Sequence, residues 1–110
     1  MKDLFSRYSD EILEERCGLI LGSGEMLEVQ NSHPEPTKGF EIDPETIIRY
    51  LDEMSGTWHT HPGQSSVLSG EDHLCFTAWP TLEHYVVGKD GIRLYRVDNG
   101  AVVDANHFPR

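Results

Sequence analysis

Cationic residues are scarce. Nine Lys and Arg stand against 19 Asp and Glu in 110 residues, a formal net charge of −10. Binding along a nucleic-acid backbone relies on clustered Lys and Arg that displace counterions. The nine are scattered, so no nucleic-acid partner is expected. An acidic balance mainly favours solubility and suits a basic or mixed protein partner. Long apolar runs are also missing. None approaches the roughly 20 residues of a membrane span, so no membrane partner is expected. The opening stretch, Met1-Lys2-Asp3-Leu4-Phe5-Ser6-Arg7, has no signal-peptide apolar core, and a cytoplasmic location is the expectation. Cysteine is limited to Cys17 and Cys75. They form no CxxC site and read as small buried hydrophobes rather than a disulfide. The HExxH helix of one class of zinc protease is absent; of the H-x-E and P-C-x-x-C pair of nucleobase deaminases, His33-Pro34-Glu35 has the first form but no P-C-x-x-C accompanies it.

What is present centres on residues 58–72, Trp-His-Thr-His-Pro-Gly-Gln-Ser-Ser-Val-Leu-Ser-Gly-Glu-Asp. His59 and His61 are one residue apart. A strand repeats every two residues, so both imidazoles leave one face. Pro62-Gly63 stops that strand. Ser69-Gly70-Glu71-Asp72 has the S-x-x-[DE] form of a helix start, with Ser69 as N-cap and Asp72 at the third helical position. If the intervening loop folds back, Asp72 approaches the two imidazoles. Two imidazoles and one carboxylate suffice for a catalytic zinc, which keeps its fourth position for water and lowers that water's pKa to about 7.

The stretch His59-Thr60-His61-Pro62, the seven residues between His61 and Ser69, and Asp72 together resemble the JAMM motif of JAB/MPN-type zinc metalloproteases. That family also has an upstream glutamate in a segment like E-x-C-G-L-L-x-G, and Glu15-Arg16-Cys17-Gly18-Leu19-Ile20-Leu21-Gly22 is similar to it. The resemblance implies that His59, His61 and Asp72 bind Zn2+. It implies Glu15 as general acid/base and Ser69 as the donor that steadies the oxyanion. Taken alone, Glu15 is an ordinary solvated carboxylate. Only its place before Cys17-Gly18-Leu19 distinguishes it from Glu14.

The remaining pattern suits one domain. Leu4, Phe5, Tyr8, Ile12 and Leu13 form an apolar stripe that predicts a helix over 3–16. Cys17–Leu21 reads as a buried strand, Gly22-Ser23-Gly24 as a turn and 27–30 as a half-exposed return strand. Residues 33–39 are a Pro- and Gly-rich loop. His33 in it is a candidate fourth ligand, although a loop histidine beside proline is usually just exposed. Phe40-Glu41-Ile42 is a brief extended piece. Asp43-Pro44-Glu45 starts a helix expected over about 44–54. The metal strand follows at 57–61, then a helix from Gly70 to about Trp79 with Asp72, Cys75, Phe76 and Trp79 on one face. His73 points away from that face. Strands at 84–88, 92–97 and 101–103 form an antiparallel meander.

Helices mixed with hairpins indicate an α+β class. The resemblance implies the same class: a curved mixed β-sheet flanked by helices, of the cytidine-deaminase-like JAB/MPN architecture. It also implies amide or isopeptide hydrolysis of a protein or peptide substrate, a ubiquitin-like or sulfur-carrier protein conjugate being one candidate. Loop 62–68 is short and no long insertion follows the motif, as in minimal prokaryotic or viral domains. The segment Gly39-Phe40-Glu41-Ile42-Asp43-Pro44 is similar to JAB-type domains of phage tail-assembly proteins, which would imply a tail protein or a peptidoglycan peptide as substrate. A catalytically silent MPN scaffold is the remaining class. Such members usually lack one of the residues that are all kept here.

Overall fold

The computed structural model describes residues 2–110. Nine elements follow one another: α1 (Lys2–Phe5), β1 (Cys17–Leu21), β2 (Met26–Val29), α2 (Pro44–Tyr50), β3 (Met54–Thr60), α3 (Gly70–Ala78), β4 (Glu83–Gly88), β5 (Gly91–Asp98) and β6 (Ala101–Pro109). The strands form one six-stranded sheet in the order β2-β1-β3-β4-β5-β6. Only β3 and β4 run parallel, joined through α3, so the sheet is mixed and the class is α+β. The expected meander of β4, β5 and β6 is antiparallel throughout. Among the described residues, no helix is long and apolar enough to cross a membrane.

Strand alternation divides the core in two. Cys17, Leu19 and Val86 face one side, where they pack with Phe40, Ile42, Ile47 and Phe76. Trp58, Val87 and Ile92 face the other, against Leu4. His59 has the parity opposite to Trp58 and so lies on the α2/α3 side, stacked on Phe40. The two helices on that side start as the sequence predicts. Asp43 caps α2, its side chain accepting from the Glu45 amide at 3.1 Å, with Pro44 next. Ser69 caps α3.

The helix expected over 3–16 is a correction. It ends at Phe5, and residues up to Arg16 are irregular, with Ile12 41% and Leu13 71% exposed. Three forces oppose the helix. The Ser9 hydroxyl takes the Glu11 amide, a local bond that competes with helical pairing. Glu11 and Glu15 would be like charges four apart. The Glu15 amide, moreover, donates to the Pro36 carbonyl at 2.8 Å. Helix α2 is also shorter than expected. Residues 54–56 join β3 instead, Met54 pairing with Leu21 and Gly56 with Ile20, so ladder pairing overrides helical spacing. Strand β6 is longer than expected, running to Pro109 along β5. Residues 40–42 join no ladder.

Loop 62–68 lies directly against Gly88 at the end of β4, where a Cβ would collide with the backbone of Gln64, Ser65 and Ser66. The Asp90 carboxylate also holds this loop by accepting from the Ser66 amide at 2.7 Å. Gly88→Ala must push the loop away, since backbone atoms cannot rotate aside. We expect a loss of about 1–3 kcal/mol in denaturant unfolding, the usual cost of overpacking. A wild-type midpoint and slope would show that the loop yields freely.

Candidate metal centre

Each side chain of the centre is placed by a different device. His59 is carried by the sixth residue of β3, fully buried. His61 lies just beyond the strand, held by its amide to the Val87 carbonyl at 2.8 Å. Asp72 is the third residue of α3. Its carboxylate accepts from the Ser69 amide at 2.9 Å while the Ser69 hydroxyl accepts from the Asp72 amide at 3.2 Å, a reciprocal capping box. Glu15 is delivered by the chain entering β1. Its neighbour Arg16 is clasped by Thr60, the Arg16 amide donating to Oγ1 and the Thr60 amide to the Arg16 carbonyl, each at 2.9 Å.

The result is a buried group of four, Glu15, His59, His61 and Asp72, whose donor atoms all lie within 4.8 Å of one another. His59 Nε2 is 3.1 Å from His61 Nε2 and 3.1 Å from Asp72 Oδ1, and His61 Nε2 is 3.0 Å from Asp72 Oδ2. Glu15 Oε1 stands back, 4.0 Å from His59 Nε2, buried and without a hydrogen bond. Ser69 is exposed at the rim. Its hydroxyl accepts from the helix and has no acceptor for its own proton among the described residues. Capping and donation toward a ligand are therefore compatible.

Proton bookkeeping tests whether a cation fits. The Ser65 carbonyl, 3.0 Å from His61 Nδ1, must receive a proton from that nitrogen. This fixes the tautomer, and the neutral ring then presents a bare Nε2 lone pair. That lone pair faces a carboxylate oxygen and a second imidazole nitrogen. A positive charge is needed at the convergence point, either a proton or a metal ion. The three separations of 3.0–3.1 Å are those of hydrogen bonds, and a tetrahedral metal with N/O ligands at about 2.0–2.2 Å, whose edges are roughly 3.3–3.5 Å, would need the ligands to spread by only a few tenths of an ångström. His59 Nδ1 is buried without a partner, which costs about 1–3 kcal/mol. The group could hold a metal ion.

The charges respond accordingly. Burial raises the Glu15 carboxyl to about 7, only partly countered by His61. Burial opposes charge on Asp72 too, but the two imidazoles and the Ser69 amide outweigh it and hold that carboxyl well below its usual range. Burial lowers His59. On His61 burial is outweighed by the bond and attraction to Asp72, and its pKa rises.

A polar cleft of about 250 Å³, lined by Glu15, Thr37, Lys38, His61, Pro62 and Gln64, opens onto the group. A larger, mostly apolar cavity of about 350 Å³ lies on the α2/α3 side and contains none of the four. His33 lines that second cavity and is not a ligand. Its Nε2 pairs with Glu71 Oε1 at 3.0 Å and its Nδ1 accepts from the Glu35 amide. It is half-buried rather than simply exposed. His73 is exposed, as its helix face predicts, and both cysteines are free. Phe40, whose ring stacks on His59 at 4.0 Å, was not legible as part of the site. A lone aromatic in a loop signals only burial.

No family model and no curated protein matches the chain. Among solved structures, the solution structure of protein DSY2949 from Desulfitobacterium hafniense is similar, with a TM-score of 0.74 and 19% sequence identity. The match covers 100% of this chain and 88% of that one. At that identity the likeness shows a shared fold alone.

One metal ion per chain is expected to bind, and His59→Ala or His61→Ala should each abolish it. Metal and proton compete for the same lone pair, so affinity should fall as pH drops and His61 protonates. Zinc titration with a competing chelator dye at several pH values reads both effects. Full zinc content in either variant would refute the ligand set.

Proposed function

We propose that this chain is a zinc metallopeptidase of the JAB/MPN type, hydrolysing an amide or isopeptide bond in a protein or peptide. One observation carries the reading. A buried carboxyl with no hydrogen-bond partner at Oε1 and a pKa near 7 stands beside two imidazoles and a carboxylate that converge on one point. The mixed sheet with α2 and α3 on one face is consistent with the JAB/MPN architecture.

Zinc held by His59, His61 and Asp72 would supply a Lewis acid and make water a ready nucleophile near neutral pH. The rest falls to this chain's own groups. Glu15 is close enough to neutrality to take a proton from the attacking water and return it to the departing amine nitrogen as the C–N bond breaks. The Ser69 hydroxyl has a free proton to donate to the carbonyl oxygen as negative charge develops there. The Ser65 carbonyl keeps His61 in its ligating tautomer. The cleft is smaller than the roughly 300–1,000 Å³ that encloses a whole small ligand. An extended chain crossing the site fits it better, with a ubiquitin-like conjugate as one candidate.

Two predictions test this. Glu15→Gln should keep fold and zinc but lower turnover by about 100-fold or more, whereas Glu14→Gln, at an exposed position, should be nearly silent. Cleavage of a panel of linear peptides and isopeptide-linked ubiquitin-like conjugates, followed by mass spectrometry, reads both. A zinc-loaded wild type that cleaves none of them would favour a scaffold.

Ser69→Asp separates capping from catalysis. Aspartate caps a helix as well as serine does, so the melting temperature should stay near wild type. It would also place negative charge beside the developing oxyanion, and turnover should fall by about 100-fold. Zinc content is measured alongside, since the new carboxylate could reach the metal. A stable, zinc-loaded and active Ser69→Asp would reduce Ser69 to a cap.

A further inference from the structure

Asn31 sits two residues beyond β2 and is half-buried. Its Nδ2 donates to the Glu15 carbonyl at 2.9 Å and to the Gly39 carbonyl at 3.0 Å. Its Oδ1 accepts from the His33 and Glu41 amides, each at 3.0 Å. A primary amide offers two donors and two acceptor sites, and all four are used. Only one orientation of the amide puts its nitrogen on two carbonyls and its oxygen on two N–H groups.

The consequence falls on Glu15, which belongs to no helix or strand. Its amide is bound by Pro36 and its carbonyl by Asn31, so both backbone groups are fixed by residues 31–36. The same asparagine closes the loop at Gly39 and Glu41, on either side of the Phe40 ring that stacks on His59. His59, His61 and Asp72 make no hydrogen bond to Asn31 and are placed by β3, Val87 and α3.

We infer that Asn31 is a positioning residue, fixing the Glu15 carboxyl at its stand-off from the metal ligands without taking part in metal binding. The inference rests on the reading of Glu15 as the proton carrier. Sequence alone does not signal this role, since an asparagine before a Pro-rich loop reads as turn chemistry.

The test uses Asn31→Asp in the full chain. Aspartate keeps the acceptor for His33 and Glu41 but turns an oxygen toward the Glu15 and Gly39 carbonyls. In metal-free protein, amide hydrogen exchange at Glu15 should speed up by about tenfold or more, while the His33 and Glu41 amides change less. In cobalt(II)-loaded protein, the paramagnetic shift of the 13C-labelled Glu15 carboxyl should change, with cobalt affinity unaltered. Glu15→Gln assigns that signal. Asn31→Ala, which loses the bonds without adding charge, should behave likewise at Glu15. An unchanged Glu15 shift and exchange rate in both variants would overturn the proposal. Loss of cooperative melting in both would also overturn it, by making Asn31 a folding residue. Failure of the wild type to hydrolyse anything would count against the enzymatic reading alone, since neither readout depends on turnover.

Discussion

Everything near the centre depends on one carboxylate. Asp72 Oδ2 accepts from the Ser69 amide and faces His61, while Oδ1 faces His59. The bond that starts α3 therefore also fixes the Asp72 rotamer. A carboxylate this buried is stable only because a fixed donor and two imidazoles surround it. Removing it would leave the Ser69 amide unpaired and two imidazoles facing one another. The helix cap and the group that could hold a metal ion are here a single arrangement, and the three-residue spacing between Ser69 and Asp72 is that of the capping box.

The two buried carboxylates diverge for a physical reason. Glu15 and Asp72 share one group, yet burial pushes Glu15 up to about 7 while Asp72 is held far down. The difference lies in attraction to His59 first and in hydrogen bonding second. Asp72 has the Ser69 amide and both imidazoles within reach, whereas Glu15 Oε1 has no partner and stands 4.0 Å from the nearest ring nitrogen. Paired titratable groups forced apart in this way commonly divide proton transfer and charge stabilisation between them.

Sequence legibility followed sequence distance. His59, His61, Ser69 and Asp72 fall within 14 consecutive positions, and two local rules place them: strand alternation and the helix cap. Strands β1, β4 and β5 announced themselves by apolar content and turns, and the latter half of β3 by the Pro62-Gly63 stop. The stretch before β1 did not, because Ile12 and Leu13 have helical spacing but no surface to bury against. Apolar period predicts a helix only where packing accepts that face. Helix α2 ended early for a related reason. The backbone of Met54–Gly56 found partners in β1, and long-range pairing leaves no local trace. His33 looked like a spare ligand because composition cannot show that Glu71 would claim it.

The irregular approach to β1 is better suited to the site than a helix would be. In a helix over 3–16, the Glu15 amide would be bound along its axis, its carbonyl would be one of the last four without an intrahelical partner, and the carboxyl would be aimed by helical phase. Instead the chain arrives without regular structure, and Thr60 clasps Arg16 from the strand that carries His59. The carboxyl is thus referenced to β3 through one residue on each side. The cost is that nothing local holds Glu15 in place. Its backbone groups must be satisfied from elsewhere in the fold, and residues 31–36 supply those partners. Glu15 therefore draws its rigidity from a loop rather than from a regular element. The two exposed apolar residues just upstream are the by-product of that choice.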